Sequence, residues 1–301
     1  MNYYNEIKNK LIDNEVYKKV KDYSKNRNDL STYYEVGKLL IKAQGGEERA
    51  KYGDNLIKEY SERLFNDTGR KYNITALKRI RQFYLVVEKG VPLAHQLTWS
   101  HYCELLPLKD INEINYYIKT TIEQCLSKRQ LRERIRNKEY QRLDDKTKLK
   151  LINKEEIDIK DNIKNPIIIK NKLDIDKEIV SEKILQRLIL EDIPSFLEEL
   201  GTGYSFIKNE YKIKLGERYN YIDLLLFNIK YNCYVVVELK VTELKKEHIG
   251  QIQIYMNYID NSLRKITQDK TIGLIICKKD NKYVIEYSSD KRILSREYEL
   301  I

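Results

Sequence analysis

The sequence predicts a two-domain α+β protein. We expect an all-α, helix-turn-helix-like domain over residues 1–143, a linker over 144–172, and a domain over 173–301 in which helices flank a mixed sheet. Up to residue 143, apolar residues recur every three or four positions, which is the period of a helix. Beyond residue 203, short apolar runs between turn residues are typical of strands. Residues 144–172 have no steady period, which indicates a linker.

Positive charge is concentrated in the N-terminal half. The 301-residue chain has a formal net charge of +10, of which residues 1–143 carry +9 and residues 144–301 carry +1. A basic domain beside a nearly neutral one indicates an anionic partner, most often nucleic acid. The sequence has no apolar stretch long enough to span a membrane, no apolar signal segment, and four cysteines without metal-ligand spacing. We therefore expect a cytoplasmic protein with reduced thiols.

Short turn signals divide the N-terminal domain into helices. A helix over 54–65, a turn over 66–69 and a basic helix over 75–87 follow the order of a helix-turn-helix. A second basic helix begins after Ser127, a favourable N-cap residue. Cations on these two helices are the candidates for DNA contact, with an ordinary solvated face as the open alternative. These candidates are Lys78, Arg79, Arg81, Lys128, Arg129 and Arg132.

The C-terminal domain starts with a helix over 176–200 that ends at Gly201-Thr202-Gly203. That glycine pair follows a helix rather than a strand, so we interpret it as a helix C-cap and not as a phosphate loop. Strands are predicted over 204–207, 211–215, 220–227 and 233–241. A helix over 246–259 and strands over 271–277 and 283–287 complete the domain. This order implies a mixed sheet with flanking helices.

Two neighbouring strands carry the residues with chemical potential. Asp223 lies inside one apolar run, and Glu238 and Lys240 lie two residues apart at the end of the next. A hairpin that turns at residues 230 and 231 places Asp223 directly opposite Glu238. Because like charges in that position repel, a divalent metal between them is the economical explanation. Two carboxylates and one backbone carbonyl suffice for a hard metal such as Mg²⁺, while a strand-end ion pair with a separate Asp stays open as the structural alternative.

Asp223 followed by Glu238-Leu239-Lys240 resembles the PD-(D/E)XK nuclease signature, with Ile222 in place of the usual Pro. Gln251 and Tyr255 on the next helix resemble the Gln-x-x-x-Tyr motif of the RecB-like branch. Further segments are similar to the YhcG-type family over nearly the whole chain. In the N-terminal half these are 34–37, 49–53, 81–84, 96–102 and 139–143, and in the C-terminal half 197–206, 221–227, 237–240, 250–251 and 272–277.

The resemblance implies a bacterial protein with a winged-helix-like DNA-binding domain and a metal-dependent nuclease domain of the restriction-endonuclease-like fold. Asp223, Glu238 and the Leu239 carbonyl are expected to hold the metal, and Lys240 to position the attacking water. Gln251 and Tyr255 are expected to support the substrate or the site. The first acidic residue of the signature stays open among four positions, with Glu199 also placed in the metal set. The other three are Gln186, Glu182 and Glu191.

The predicted activity is hydrolysis of phosphodiester bonds in DNA, with endonucleolytic cleavage favoured, in DNA processing or in defence against foreign DNA. A DNA-binding or assembly subunit that keeps the nuclease fold without cutting is the alternative. An interaction module that forms a homo-oligomer through the helical domain is a third reading. His95 and His101 are interpreted as structural, whereas His248 precedes Gln251 by three residues and could approach the nuclease site.

Overall fold

The computed structural model of the chain describes residues 3–19, 25–46, 54–288 and 290–301. It divides into two compact units, residues 1–140 and 141–301. The family-like segment at 49–53 lies outside the described residues. None of the helices in the described ranges combines the length and the apolar character that crossing a membrane requires.

The N-terminal unit is helical throughout its described residues. Its seven described helices are α1 Tyr3–Lys19, α2 Lys25–Ala43, α3 Asp54–Thr68, α4 Ile74–Glu88, α5 Trp99–Leu105, α6 Ile111–Glu123 and α7 Lys128–Arg136. Both predicted basic helices are present, as α4 and α7. Within 3–19, 25–46 and 54–140 no strand occurs, so the wing expected of a winged-helix domain is not found in that part of the unit.

The predicted helix-turn-helix segment differs from the expectation in its connection. The first helix runs on to Thr68 and the chain turns at Gly69, whose φ of +69° suits glycine. The connection to α4 is therefore the stretch from residue 69 to residue 73. Asn73 ends it as an N-cap, because its side-chain oxygen accepts a hydrogen bond from the Ala76 N–H at 2.8 Å. Leu77, Ile80 and Phe83 then bury one face of α4.

Helices α2 and α4 approach closely at Gly37. A Cβ atom at this position would lie 2.6 Å from the Ile80 carbonyl oxygen and 2.6 Å from the Tyr84 Cβ. Both distances are shorter than any normal contact, and the carbonyl belongs to a helix backbone that moves only as a unit. The absence of a side chain at residue 37 is what allows the two helices to pack.

Gly37→Ala is expected to destabilise the protein by about 1–3 kcal/mol, since the added methyl group overpacks the α2–α4 contact. The matched control is Gly250→Ala in the C-terminal unit, another helical glycine, where the new Cβ would meet no atom within 4 Å. There the better helix propensity of Ala should raise stability by roughly 0.5–1 kcal/mol. Thermal unfolding of both variants measures the contrast, and equal shifts in the two would contradict it.

The C-terminal unit contains six strands and five α-helices in its described residues. The helices are α8 Asp145–Asn153, α9 Glu182–Glu191, α10 Ile193–Leu200, α11 Lys246–Ser262 and α12 Lys282–Glu286. The strands are β1 Ile167–Ile169, β2 Tyr204–Leu215, β3 Arg218–Asn228, β4 Cys233–Glu243, β5 Ile272–Lys279 and β6 Ile293–Leu300. Gly201 follows α10 as its C-cap, with its N–H bonded to the Leu197 and Glu198 carbonyls, which confirms the C-cap prediction.

The strands form one mixed sheet in the order β1-β6-β5-β4-β3-β2. The β2–β3 and β3–β4 pairs are antiparallel, and the β4–β5, β5–β6 and β1–β6 pairs are parallel. On one face Val237 packs in the same core as Leu185 of α9 and Leu200 of α10. On the other face Val236 packs with Ile252 of α11. Helices thus flank the sheet on both faces, as the sequence predicted.

The predicted linker over 144–172 is a part of the C-terminal unit. Its isoleucines are the physical reason, because Ile159, Ile163 and Ile167 bury in the core that includes α9 and α10. Residues 167–169 form β1, which pairs with the last strand of the sheet. The sequence lacks a helical or strand period here because the segment contributes single apolar residues to an existing core rather than one regular face.

Three further element predictions need correction. The helix expected over 176–200 is split at Asp192, which ends α9 and caps α10 by accepting from the Ser195 N–H. The two short strands expected over 204–207 and 211–215 are one continuous strand, β2. The strand expected over 283–287 is instead the short helix α12, whose Tyr283 is 73% exposed, and the last strand is β6.

Candidate active site

The two strands that carry the predicted acidic residues pair in the register that the sequence predicted. Leu224 lies opposite Val237 and the ladder continues to Asn228 opposite Cys233. The recorded pairs end one position before Asp223 and Glu238, and the charge of Asp223 contributes to the raised pKa of Glu238. The Asp223 carboxylate also accepts a hydrogen bond from the Leu239 N–H at 2.8 Å. The hairpin therefore brings Asp223, Glu238 and Leu239 together at one end of the β3–β4 ladder.

Glu238 is a buried carboxylate whose two oxygen atoms have different surroundings. The residue is 1% exposed, and its Oε2 accepts from the Lys240 ammonium at 3.1 Å. Its Oε1 is buried and has no hydrogen-bond partner among the residues that the structure describes. Burial, with a further contribution from Asp223, raises the pKa of Glu238 to about 8. A buried oxygen that lacks a donor is costly unless a cation or water meets it.

Asp223 experiences the same conflict between burial and charge. Burial raises the pKa of the Asp223 carboxyl group, while the Leu239 N–H and the Lys240 charge act in the opposite direction. Two adjacent carboxyl groups with raised pKa values indicate a site short of positive charge, which a divalent cation would supply. In the described residues no three His, Cys, Asp or Glu side chains form a ready-made metal cluster. The two carboxylates supply oxygen atoms, the ligand type that Mg²⁺ and Mn²⁺ prefer.

Lys240 lies between two carboxylates. The residue is 8% exposed, and its ammonium nitrogen is 3.1 Å from Glu238 Oε2 and 3.6 Å from Glu182 Oε2. Burial alone would lower the pKa of Lys240, but Glu238 and Glu182 outweigh it and the pKa is raised. The raised pKa favours the charged ammonium form of Lys240, which can donate hydrogen bonds at the site.

The α9 helix brings two of the four candidates for the first acidic residue to the site. Glu182, in its first turn, reaches Lys240, and its charge raises the pKa values of both Asp223 and Glu238. Gln186 lies one turn further along α9, and its side-chain amide donates to the Asp223 carbonyl at 3.0 Å. Glu191 instead lies near Arg187 at 3.9 Å, on an exposed part of the helix.

The prediction of Glu199 as a metal ligand is not supported by its surroundings. Its carboxylate contacts the Arg142 guanidinium and accepts from the Ile168 N–H, the latter at 3.2 Å. These partners are structural, since they tie α10 to strand β1 and the segment before α8. The reason is that α9 and α10 are separate helices, so a carboxylate near the end of the second does not face the same neighbours as one at the start of the first.

Helix α11 contributes the predicted glutamine and tyrosine. The Gln251 side-chain amide donates to the Tyr255 hydroxyl at 3.0 Å. Burial raises the pKa of Tyr255, and the charge of Glu238 adds to the shift, so the hydroxyl stays protonated near the site. His248 at the start of α11 accepts from the Lys245 N–H through Nδ1 at 3.2 Å. Burial and the Lys240 charge lower the pKa of His248.

Glu210 of β2 is a neighbour of Asp223 that sequence reasoning missed. Asn209 opposite Leu224 and Tyr211 opposite Ile222 place Glu210 beside Asp223 in the register. Its negative charge raises the pKa of Asp223, and its φ of 45° interrupts the extended strand. Only the strand register shows this proximity, because the sequence separates the two residues by 13 positions and offers no motif around Glu210.

Three of the predicted DNA-contacting cations of α4 and α7 lie near residues of α5 in the N-terminal unit. Burial raises the pKa of the Cys103 thiol, and the nearby positive charges of Arg79 and Lys128 act in the opposite direction. Arg132 donates to both oxygens of Glu104, at 2.8 and 2.7 Å, and Lys128 lies 3.5 Å from the same carboxylate. Of the remaining candidates, Arg129 is exposed, Arg81 contacts Gln44 at 3.3 Å, and Lys78 also has an interaction partner.

A mixed sheet flanked by helices, with Asp223, Glu238 and Lys240 on two adjacent strands, has the organisation of a PD-(D/E)XK nuclease domain. Residues 160–301 match the family model of the YhcG PDDEXK nuclease domain, and residues 9–142 match that of the DUF1016 N-terminal domain. The C-terminal unit therefore contains a YhcG-type PDDEXK nuclease domain, and the N-terminal unit contains a DUF1016 N-terminal domain. PDDEXK nucleases generally use divalent metals.

Two individual proteins can be compared with the chain. The Escherichia coli (strain K12) protein named "Putative nuclease YhcG" is 26% identical over 310 residues, which covers 90% of this chain and 83% of the relative. A repair endonuclease from Pyrococcus abyssi has a crystal structure that matches 40% of this chain and 47% of its own. That match has 16% sequence identity and a TM-score of 0.28.

Proposed function

We propose that the chain is a metal-dependent DNA nuclease. Its active site, formed by Asp223, Glu238 and Lys240, hydrolyses phosphodiester bonds of the DNA. The observation that carries the proposal is Glu238 Oε1, a buried carboxylate oxygen without a donor, beside a second carboxylate at Asp223. A buried polar group without a partner is typical of a site at which a bound ligand supplies the missing interaction. We place this activity in DNA processing or in defence against foreign DNA in the bacterial cytoplasm, as the resemblance of the sequence motifs implies.

Asp223, Glu238 and the Leu239 carbonyl would hold the metal, for which Mg²⁺ is the first candidate and Mn²⁺ the second. All three supply oxygen atoms, the ligand type that hard divalent cations prefer. The bound ion would polarise a phosphoryl oxygen and acidify a water molecule. The hydrogen bond from the Leu239 N–H to Asp223 orients that carboxylate, because it fixes one of its two oxygen atoms.

Lys240 would hold the attacking water and stabilise the negative charge that develops on the phosphate. Its ammonium is protonated and is kept in place by Glu238 on one side and Glu182 on the other. A buried positive charge in a fixed position lowers the energy of an anionic transition state without having to reorient. We assign Glu182 as a positioning residue of Lys240, and the Gln251–Tyr255 pair as a polar support on α11.

The test of this function is cleavage of labelled supercoiled plasmid and linear duplex by the full chain with Mg²⁺, with Mn²⁺ and with EDTA. We expect product only with a divalent metal, and relaxation of the closed circle would show endonucleolytic cutting. Binding without product in either metal would contradict the proposal. That outcome would favour the non-cutting DNA-binding or assembly subunit.

We further propose that the N-terminal domain binds the DNA backbone through the surface at which α4, α5 and α7 meet. Arg79, Lys128 and Arg132 supply its positive charge. Glu104 lies among them and already accepts both hydrogen bonds that the Arg132 side chain would give to a phosphate. A carboxylate in this position competes with DNA, because both are anions that fit the fork of the same guanidinium.

Glu104→Gln is therefore expected to strengthen DNA binding by roughly threefold to tenfold at low salt. The salt dependence of binding should also become steeper, because about one more counterion is released from the DNA. The matched control is Glu123→Gln, which removes the same charge from an exposed pair with Lys119 on α6. Fluorescence anisotropy of a labelled duplex in EDTA, over a series of salt concentrations, measures both. An equal change in the two variants would show a general charge effect rather than competition at Arg132.

A further inference from the structure

The β2–β3 hairpin presents one polar and aromatic face along its length. Lys212 and Lys214 on β2 and Tyr219 and Tyr221 on β3 are all exposed. Between them, Ile213 and Ile222 bury their side chains in the core that includes α11. The alternation is that of a strand pair with one buried and one open face. The two isoleucines therefore fix the hairpin, and the lysines and tyrosines are left on its open side.

Tyrosines and lysines alternate across the two strands on this open face. Lys212 lies opposite Tyr221 and Lys214 lies opposite Tyr219, so each ring has a cation as its cross-strand neighbour. The Lys212 ammonium nitrogen is 3.8 Å from the centroid of the Tyr219 ring, a cation–π contact on the diagonal. The rings themselves remain open, with Tyr219 55% and Tyr221 52% exposed.

The strand that carries the two tyrosines also carries Asp223. Tyr219 and Tyr221 lie on one side of β3, separated by about 6.6 Å along the strand. Asp223 follows where the alternation of the strand shifts, since Ile222 lies in the core that includes α11 and Leu224 in the core that includes α9 and α10. The second ring of the face, Tyr221, is therefore about 6.6 Å along the strand from Asp223.

We propose that this face, defined by Lys212, Lys214, Tyr219 and Tyr221, binds an unpaired segment of DNA and guides it to Asp223. The inference rests on the proposed nuclease function and adds the substrate class, single-stranded or locally unwound DNA. Aromatic rings bind bases by stacking, and a base offers its flat face only when it is not stacked within a duplex. Lysines beside the rings would meet the phosphates of the same strand.

The test compares three double variants of the full chain in EDTA, which prevents cleavage. Tyr219→Ala with Tyr221→Ala removes both rings, Tyr219→Phe with Tyr221→Phe keeps them, and Tyr283→Ala with Tyr287→Ala removes two exposed tyrosines of the C-terminal unit from outside this face. Anisotropy of a labelled single-stranded oligonucleotide is measured at low and raised salt. We expect roughly a 10- to 100-fold loss of affinity in the first variant only, and a loss that persists at raised salt.

Equal affinity in the first variant and the wild type, or an equal loss in the Tyr283 and Tyr287 variant, would overturn the inference. A loss of affinity for blunt duplex DNA without a loss of affinity for the single strand would overturn it as well. Failure of the nuclease function looks different. In that case the wild type binds the strand with the expected tyrosine dependence but yields no product with any metal. In an active enzyme, the first variant should raise KM for single strands far more than it lowers kcat.

Discussion

Glu238→Gln is expected to reduce metal-dependent cleavage by about 1,000-fold or more while the protein remains folded. The amide cannot supply the negative charge of a ligand, and removal of one preorganised charge from such a site costs about 10²–10³ in rate before metal loss is added. Without metal the variant should unfold close to the wild-type temperature, because removal of a buried carboxylate whose second oxygen lacks a partner offsets the weaker hydrogen bond to Lys240, which keeps Glu182 beside it. Thermal unfolding with and without Mn²⁺, beside a cleavage assay, measures both effects.

Glu199→Gln is the matched control, since it makes the same substitution at another partly buried glutamate of the C-terminal unit. Glu199 is paired with Arg142, so its loss should lower stability by about 3 kcal/mol and leave the stabilisation by Mn²⁺ intact. The two variants are thus expected to show opposite patterns. A Glu238 variant that is destabilised without metal and still stabilised by Mn²⁺ would remove this residue from the metal set.

The parts of the site that the sequence predicted are those governed by short-range geometry. Asp223 and Glu238 lie on strands joined by a short turn, and with a side-chain period of two the register follows from the turn position alone. Glu238 and Lys240 are two residues apart, so no tertiary information is needed to place them on one face. The motif is local, and the chain needs only the β3–β4 hairpin to assemble it.

The parts that the sequence could not predict depend on long-range packing. Whether Glu182 or Glu199 faces the sheet depends on the break between α9 and α10, where Asp192 caps the second helix and a proline lies in its first turn. Glu210 reaches Asp223 only through the β2–β3 register. The strand β6 was missed because its charged residues at 296, 297 and 299 obscure its alternation. In it Arg296 is buried, with its guanidinium bonded to the Ile163 carbonyl at 3.0 Å.

Lys240→Met is expected to lower kcat by about 10²–10³-fold with little change in KM, because the ammonium acts on the transition state and not on the bound substrate. The side chain of Met has similar length and fills the same buried position without charge. The carboxylates of Asp223 and Glu238 remain, so stabilisation by Mn²⁺ in thermal unfolding should be retained. Lys240→Arg keeps the charge but not the compact ammonium, and should recover only part of the rate.

The retained response to Mn²⁺ is what separates a role in the chemical step from a structural one. Lys240 neutralises Glu238 at 3.1 Å in the metal-free protein, so its removal leaves that carboxylate unpaired until metal binds. If Lys240 served only to neutralise Glu238, Lys240→Met would be rescued by saturating metal, because the ion would supply the missing charge. The control is Lys246→Met at the exposed start of α11, which should leave the rate unchanged. If the rate of Lys240→Met stays low at saturating Mn²⁺, the loss belongs to the chemical step.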